Sequence, residues 1–271
     1  ILRREEILLL RCSEAFMWLG QPASVARRLV RTLPRIHQFE EPRAPGMLCL
    51  FLGHMASTLG AHRMGLLLCR TAGQLHARRG FTTGSIEVSR VRALIAVRRG
   101  EWELSQHSVD EVLKGADERG AATLRMHGLV AQSLSLLCQG RLPAALASAA
   151  RIGSEARESR HEFFEVLGRI AEARVQIRMG SFAAVRGHVD AACQLPLLRQ
   201  SLHGWIAVQS FALRLAAERS DGDEVLALAE QITQSAPGLV SALGNLFDVA
   251  ELLARTLLYH LAANTGDRKS V

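Results

Sequence analysis

Ala93-Leu94-Ile95-Ala96-Val97-Arg98-Arg99-Gly100-Glu101-Trp102-Glu103-Leu104-Ser105-Gln106-His107-Ser108-Val109 is the stretch whose reading decides the fold. A small residue, Ala93, stands seven positions before Gly100; a bulky one, Trp102, stands two after it, and an apolar one, Val109, nine after it. These marks recur every 40 residues, on glycines at Gly20, Gly60, Gly100, Gly140 and Gly180. The small column reads Ser13, Gly53, Ala93, Ser133 and Ala173, and the apolar column reads Leu29, Cys69, Val109, Ala149 and Val189. At the position two after each glycine stand Pro22, His62, Trp102, Leu142 and Phe182. A period of this length marks an array of repeated units, each one supersecondary motif.

Each unit shows a helical pattern of about 15 residues on either side of its glycine, as in Glu6 to Leu19 and then Pro22 to Leu33. Glycine ends the first helix because it alone enters the left-handed backbone region without strain. Pro22 suits the first turn of the second helix, where no partner exists for its missing N–H. Between units, breakers at Pro34 to Gly46, Gly80 to Gly84, Gly115 to Gly120 and Ser235 to Gly238 are read as loops, and small residues seven before the glycine as points where helices approach closely.

The units fall at about 1–40, 41–80, 81–120, 121–160, 161–200 and 201–238, with a trailing helix over about 239–263. In the sixth the first helix runs about His203 to Arg219, and the turn at Ser220-Asp221-Gly222-Asp223 comes two residues late, while Val225 keeps the place of Val25 and Val185. The chain opens at Ile1 already in a helical pattern, so it is read as part of a larger protein. The fold class is all-α.

With Ser13, Gly20, Leu29 and Thr32 in one unit and Ala173, Gly180, Val189 and Ala192 in another, the pattern resembles the tetratricopeptide repeat family. The resemblance implies an α-solenoid of about six helix-turn-helix units forming a right-handed superhelix. The period here is 40, against about 34 for the usual unit. Longer units of this kind are similar to the helical sensor region of large bacterial ATP-dependent regulators of the MalT and large LuxR type. HEAT and armadillo arrays share a period of about 40, but the regular turn glycine favours the tetratricopeptide reading.

Composition agrees with a helical fold. Of 271 residues, 48% are apolar and only 5% aromatic, so the core is built from Leu, Ala, Val and Ile, which suits helix packing better than strands. Lys+Arg exceed Asp+Glu by 33 − 26 = +7, yet only Lys114 and Lys269 are lysines, an imbalance that matches the codon bias of a GC-rich bacterial genome. Nucleic acid is therefore the least favoured partner, since no basic run with interleaved aromatics accompanies the charge. Five cysteines at wide spacing, with no CxxC pair, read as buried thiols of a cytoplasmic protein. The apolar window Gly46 to Ala61, which contains His54, is shorter than the ~20 residues a membrane span needs, and Met47 to Leu52 within it reads as a helix covered on both sides.

The search for catalytic chemistry yields none. Gly80-Phe81-Thr82-Thr83-Gly84-Ser85 lacks the spacing and the lysine of a phosphate loop and reads as a turn. His161-Glu162-Phe163-Phe164-Glu165 has Glu165 where a zinc-protease helix places its second histidine, and reads as a helix start. No catalytic residue, metal or cofactor is assigned, and the expected function is recognition by a non-catalytic module.

In the family, outward positions of each first helix line the groove. Carried over, these positions give Glu14, Met17 and Trp18, then His54 and Thr58, then Arg90, Leu94 and Arg98, then Val130, Leu134 and Cys138, and finally Arg174, Ile177 and Arg178. The arginines suit bidentate capture of carboxylates or phosphates, so the expected partner is a protein or an acidic peptide, or else a small anionic ligand. Against this stands the plain reading that the arginines form the solvated side of helices. Trp18 is the groove-facing contact candidate, whereas Trp102 is read as structural. Two settings remain open: the sensor region of a signalling or transcriptional regulator, and a free-standing scaffold.

Overall fold

A computed structural model describes residues 43–58, 60–196, 208–209, 211–213, 215–216 and 222–235. Among them the chain is helical throughout, with no strand. The helices are α1 Ala44–Thr58, α2 His62–Arg78, α3 Gly84–Arg99, α4 Trp102–Asp117, α5 Ala122–Cys138, α6 Leu142–Glu158, α7 Glu162–Arg178, α8 Phe182–Cys193 and α9 Gly222–Ser235. Unit 1–40, with Glu14, Trp18 and Gly20, and the trailing helix 239–263 lie outside the described residues, as does Trp205.

The turns repeat every 20 residues. Positive φ occurs at Gly60, Gly80, Gly100, Gly120, Gly140 and Gly180, and at Arg160, where φ is 53°. At each the chain closes the same pair of bonds. Gly100 N–H donates to Val97 O at 3.0 Å and Glu101 N–H to Ala96 O at 2.9 Å, while around Arg160 the donors are Arg160 and His161 and the acceptors Arg157 and Ala156. This Schellman arrangement satisfies the last carbonyls of a helix and turns the chain back. No N-cap side chain of α2 through α8 makes a capping bond. The helix boundaries are therefore set from the C-terminal side.

Second helices begin two residues after the turn glycine, at His62, Trp102, Leu142 and Phe182. Trp102, at the start of α4, is 37% exposed, and a Cβ on Gly100 would sit 3.6 Å from its ring. The small column marks close approach within each pair. Gly53 in α1 faces the Gly65 carbonyl of α2, where a Cβ would come within 3.0 Å, and Ser133 in α5 donates to the Ala145 carbonyl of α6 at 3.1 Å. Ala93 and Ala173 are fully buried.

Several expected loop residues lie in helices instead: Ala44 to Gly46 in α1, Gly84 in α3, Gly115 to Asp117 in α4 and Ser235 in α9. Gly46 belongs to the first turn of α1, and Gly115 lies inside α4, where a Cβ would meet Ile86 Cδ1 at 2.7 Å. Gly115 therefore serves close packing rather than chain reversal.

From α1 to α8, consecutive helices pack against each other along the chain. The first helices α1, α3, α5 and α7 also pack side by side, α1 on α3, α3 on α5 and α5 on α7, whereas among the described residues the second helices α2, α4, α6 and α8 make no comparable contact with one another. Apolar clusters fill the space between helices, among them Met126, Leu129, Ile152, Ala156 and Phe164, and Val166, Ile170, Ala173, Ile177 and Val185. No helix of the described residues is long and apolar enough to cross a membrane.

Candidate functional site

Because the first helices touch and the second do not, α3 has two functional sides. Ser85, Val88, Ser89 and Arg92 point into a cleft of about 310 Å³ that also takes in Gly73, His76 and Ala77 of α2, Phe81 and Thr82 of the turn, and Glu111 of α4. At helical spacing, Glu87, Arg90, Leu94 and Arg98 lie on the opposite side of α3, with the corresponding residues of α1, α5 and α7.

On the cleft side polar contacts tie α3 to α4. Glu111 accepts from Ser89 Oγ and from Arg92, both at 2.5 Å, and Arg92 Nε donates to Ser108 Oγ at 2.9 Å. Arg92 and Ser108 stand eight residues before and eight after Gly100, and the pattern returns in the later pairs. Ser148 donates to Gln132 at 3.0 Å about Gly140, and His188 Nε2 lies 3.6 Å from Glu172 about Gly180. These positions are spent on joining the two helices of each pair.

The first-helix side differs. His54 of α1 is half-buried, and burial, with the positive charges of Arg98 and Arg90, pushes its pKa down to about 3. The structure thus brings His54, Arg90 and Arg98 into one electrostatic group. Arg90 pairs with Glu87 at 2.9 Å. Arg98 has no such partner among the described residues: its Nη1 is buried without a hydrogen bond, and burial lowers its pKa from the ordinary guanidinium range.

His127 of α5 extends the group. Burial, then Arg90 and His161, hold it well below the ordinary imidazole range, and its ring meets Phe164 edge-on at 4.7 Å. It stands 40 residues after Glu87, so carrying that offset forward would have found it. Farther along, Cys138, Arg174 and Arg178 form a second group, in which partial desolvation at the helix end raises the Cys138 thiol pKa and the two arginines oppose the rise.

The structure corrects three sequence expectations. Ile177 is buried in the α7–α8 cluster and lines no surface, because its neighbour Arg178 takes the exposed place. Cys138, expected to be a core thiol, is exposed in the last residue of α5, and Cys193 is only half-buried, while Cys49 and Cys69 are buried. Leu94, Val130 and Leu134 are half-buried. The Thr58 side chain, like Glu14, Met17 and Trp18, lies outside the described residues. No group of three or more His, Cys, Asp or Glu side chains among the described residues is placed to hold a metal ion.

The chain matches no protein-family model and no curated protein.

Proposed function

We propose that this protein is a right-handed α-solenoid of tetratricopeptide-like units that works as a non-catalytic interaction module, binding an acidic protein segment along its first helices. Such arrays use the face lined by one set of helices as an extended binding surface. The observation that supports this reading is the lateral packing of α1, α3, α5 and α7; by repeat offset Arg90 and Arg98 of α3 and Arg174 and Arg178 of α7 then flank α5. The cleft side is a weaker candidate, because its arginine is already paired with Glu111 and Ser108. Guanidinium groups suit carboxylates through paired N–H donors, and an extended acidic segment fits a row of them.

The setting we favour is the sensor or interaction region of a bacterial signalling or transcriptional regulator, with catalytic or DNA-binding functions on other segments. Gene sequence on both sides of this segment tests the setting: nucleotide-binding and helix-turn-helix motifs support it, and a reading frame closed at both ends replaces it with a free-standing scaffold. The binding reading is tested by fluorescence anisotropy with a labelled oligoglutamate peptide. Arg174→Ala with Arg178→Ala is expected to weaken binding at least tenfold at unchanged melting temperature. Unchanged affinity in that variant removes α7 from the binding face.

A further inference from the structure

The cleft between α2 and α3 lies where the next interface, between α4 and α5, is filled by side chains. There Arg125 spans the gap: its Nη1 lies 3.3 Å from Asp117 Oδ1 of α4, and its Nη2 lies 3.0 Å from Glu155 Oε1 of α6. Leu113 of α4 packs over Gly128 of α5, whose added Cβ would meet Leu113 Cδ2 at 2.8 Å. Forty residues earlier the places of Arg125, Asp117, Glu155 and Leu113 are held by Ser85, Ala77, Gly115 and Gly73. A Cβ on Gly73 would meet only Val88 Cγ2, at an ordinary 3.8 Å. Glycine inside a helix is less stable than alanine, and packing does not demand it here; its missing side chain leaves open a cleft of about 310 Å³.

Shape and polarity restrict what fits. Gly73 and Ala77, one turn apart, give α2 a wall with no side chain longer than a methyl group, and Ser85 and Val88 of α3 line the cleft across from it. The rings of His76 and Phe81, with centroids 4.8 Å apart, close the buried end. His76 is 1% exposed, and neither of its ring nitrogens has a hydrogen-bond partner. Burial keeps this imidazole neutral, so it holds one donor and one acceptor in reserve. The two charged lining residues, Arg92 and Glu111, neutralise each other at 2.5 Å, and the cleft calls for no further charge.

We propose that this cleft binds a free small molecule: an uncharged, planar ring compound that carries a ring N–H or a hydroxyl group. The site goes beyond the acidic-segment reading and does not depend on it, since the two lie on opposite sides of α3. The flat ring enters between the wall of Gly73 and Ala77 and the facing side of α3, with its edge toward Phe81, an arrangement that aromatic pairs favour. Its polar hydrogen is donated to the unpartnered imidazole of His76. The volume lies at the small end of the range for ligand pockets and suits about one or two fused rings.

The test titrates the full chain with indole and follows the backbone amide resonances of Gly73, Ala77 and Ser85 by NMR. Saturable shifts centred on these amides are expected. Binding of 1-methylindole, which lacks the N–H, should be weaker by about fivefold, the scale of one hydrogen bond, and cyclohexanol, which is not flat, should also bind more weakly than indole. Ser85→Arg with Ala77→Asp, both at exposed positions, rebuilds the ion pair of the next interface across the cleft and should weaken indole binding by about tenfold or more in a folded chain. Gly73→Leu fills the cleft from the α2 side and should do the same, so it decides the matter if the paired variant does not fold. The absence of a saturable shift, shifts centred elsewhere, or undiminished binding in a folded variant with a filled cleft overturns the proposal. Equal binding of 1-methylindole overturns the polar contact, and equal binding of cyclohexanol overturns the planar assignment.

Discussion

Gly168 of α7 lies backbone to backbone against Gly153 of α6: a Cβ on Gly168 would come within 2.8 Å of the Gly153 nitrogen and 3.0 Å of its Cα. Neither atom is the movable end of a side chain, so the helices themselves must separate to admit a methyl group. Gly168→Ala should therefore destabilise the fold by about 1–3 kcal/mol, the usual range for overpacking, read as a lower midpoint in urea denaturation. Gly187 inside α8 is the control, with nothing within 4 Å of its added Cβ. Gly187→Ala should raise stability by about 0.5–1 kcal/mol through the lower backbone entropy of alanine in a helix. Effects of the same sign at both positions would contradict this account of the packing.

Arg160 holds the turn position that glycine holds at Gly60, Gly80, Gly100, Gly120, Gly140 and Gly180. It makes the same turn bonds with a φ of 53°, at the steric cost of a side chain in the left-handed region. Arg160→Gly should stabilise the protein by about 1 kcal/mol, since that region disfavours L-residues by roughly 1–2 kcal/mol. Gly100→Val and Gly140→Val should each lower the melting temperature, because a β-branched residue is worse still at positive φ. Differential scanning calorimetry of the three variants decides the matter, and unchanged melting in the valine variants would undercut the repeat register.

The same residue explains what the sequence reveals and what it hides. Glycines at 40-residue spacing survive in every described pair, so the helix pairs and the starts at His62, Trp102, Leu142 and Phe182 are legible. The finer 20-residue rhythm is broken by Arg160 in its second column and is visible only from backbone angles. On the candidate face, helical offset identifies the side on which Arg90 and Arg98 lie. Offset does not report the depth of the neighbouring pair, which is why Ile177 is buried and Cys138 exposed. The unsatisfied state of Arg98 depends on which acids reach the other arginines of α3, a three-dimensional fact.

His76 is a further feature that no single column of the sequence displays. It is 1% exposed, and a Cβ on Gly46 or Gly84 would come within 2.2 or 2.4 Å of it. Forty residues on, the corresponding positions hold Ala116 with Ile86 and Leu124, and after another forty Ala156 with Met126 and Phe164. One histidine between two glycines replaces one alanine between two large residues, so the volume is redistributed. Gly84→Leu alone should cost at least about 2 kcal/mol by overpacking. His76→Ala alone should cost about 2–4 kcal/mol by opening a cavity. Combined with Gly46→Ile, the triple variant should recover a large part of both losses, a coupling that a thermodynamic cycle measures. Additive losses would show that the three positions do not share one space.

Acid should weaken this fold before its carboxylates titrate. His54, His76 and His127 all have pKa values lowered from 6.5, each chiefly by burial. Arg98 and Arg90 deepen the effect at His54, Arg90 and His161 deepen it at His127, and Glu87 partly offsets it at His76. Above pH 6.5 these rings are neutral in both folded and unfolded chains, and stability is independent of them. Below it the unfolded chain takes up protons that the folded chain refuses, so stability falls with pH; for His54 the loss continues until its folded pKa of about 3. Each refused proton steepens the loss by at most about 1.4 kcal/mol per pH unit. Urea midpoints should therefore be level from pH 8 to 7 and drop clearly by pH 5, with proton uptake on unfolding between those values. His54→Asn should flatten the slope by up to one proton. A profile equally steep in that variant would show that His54 protonates freely in the folded chain.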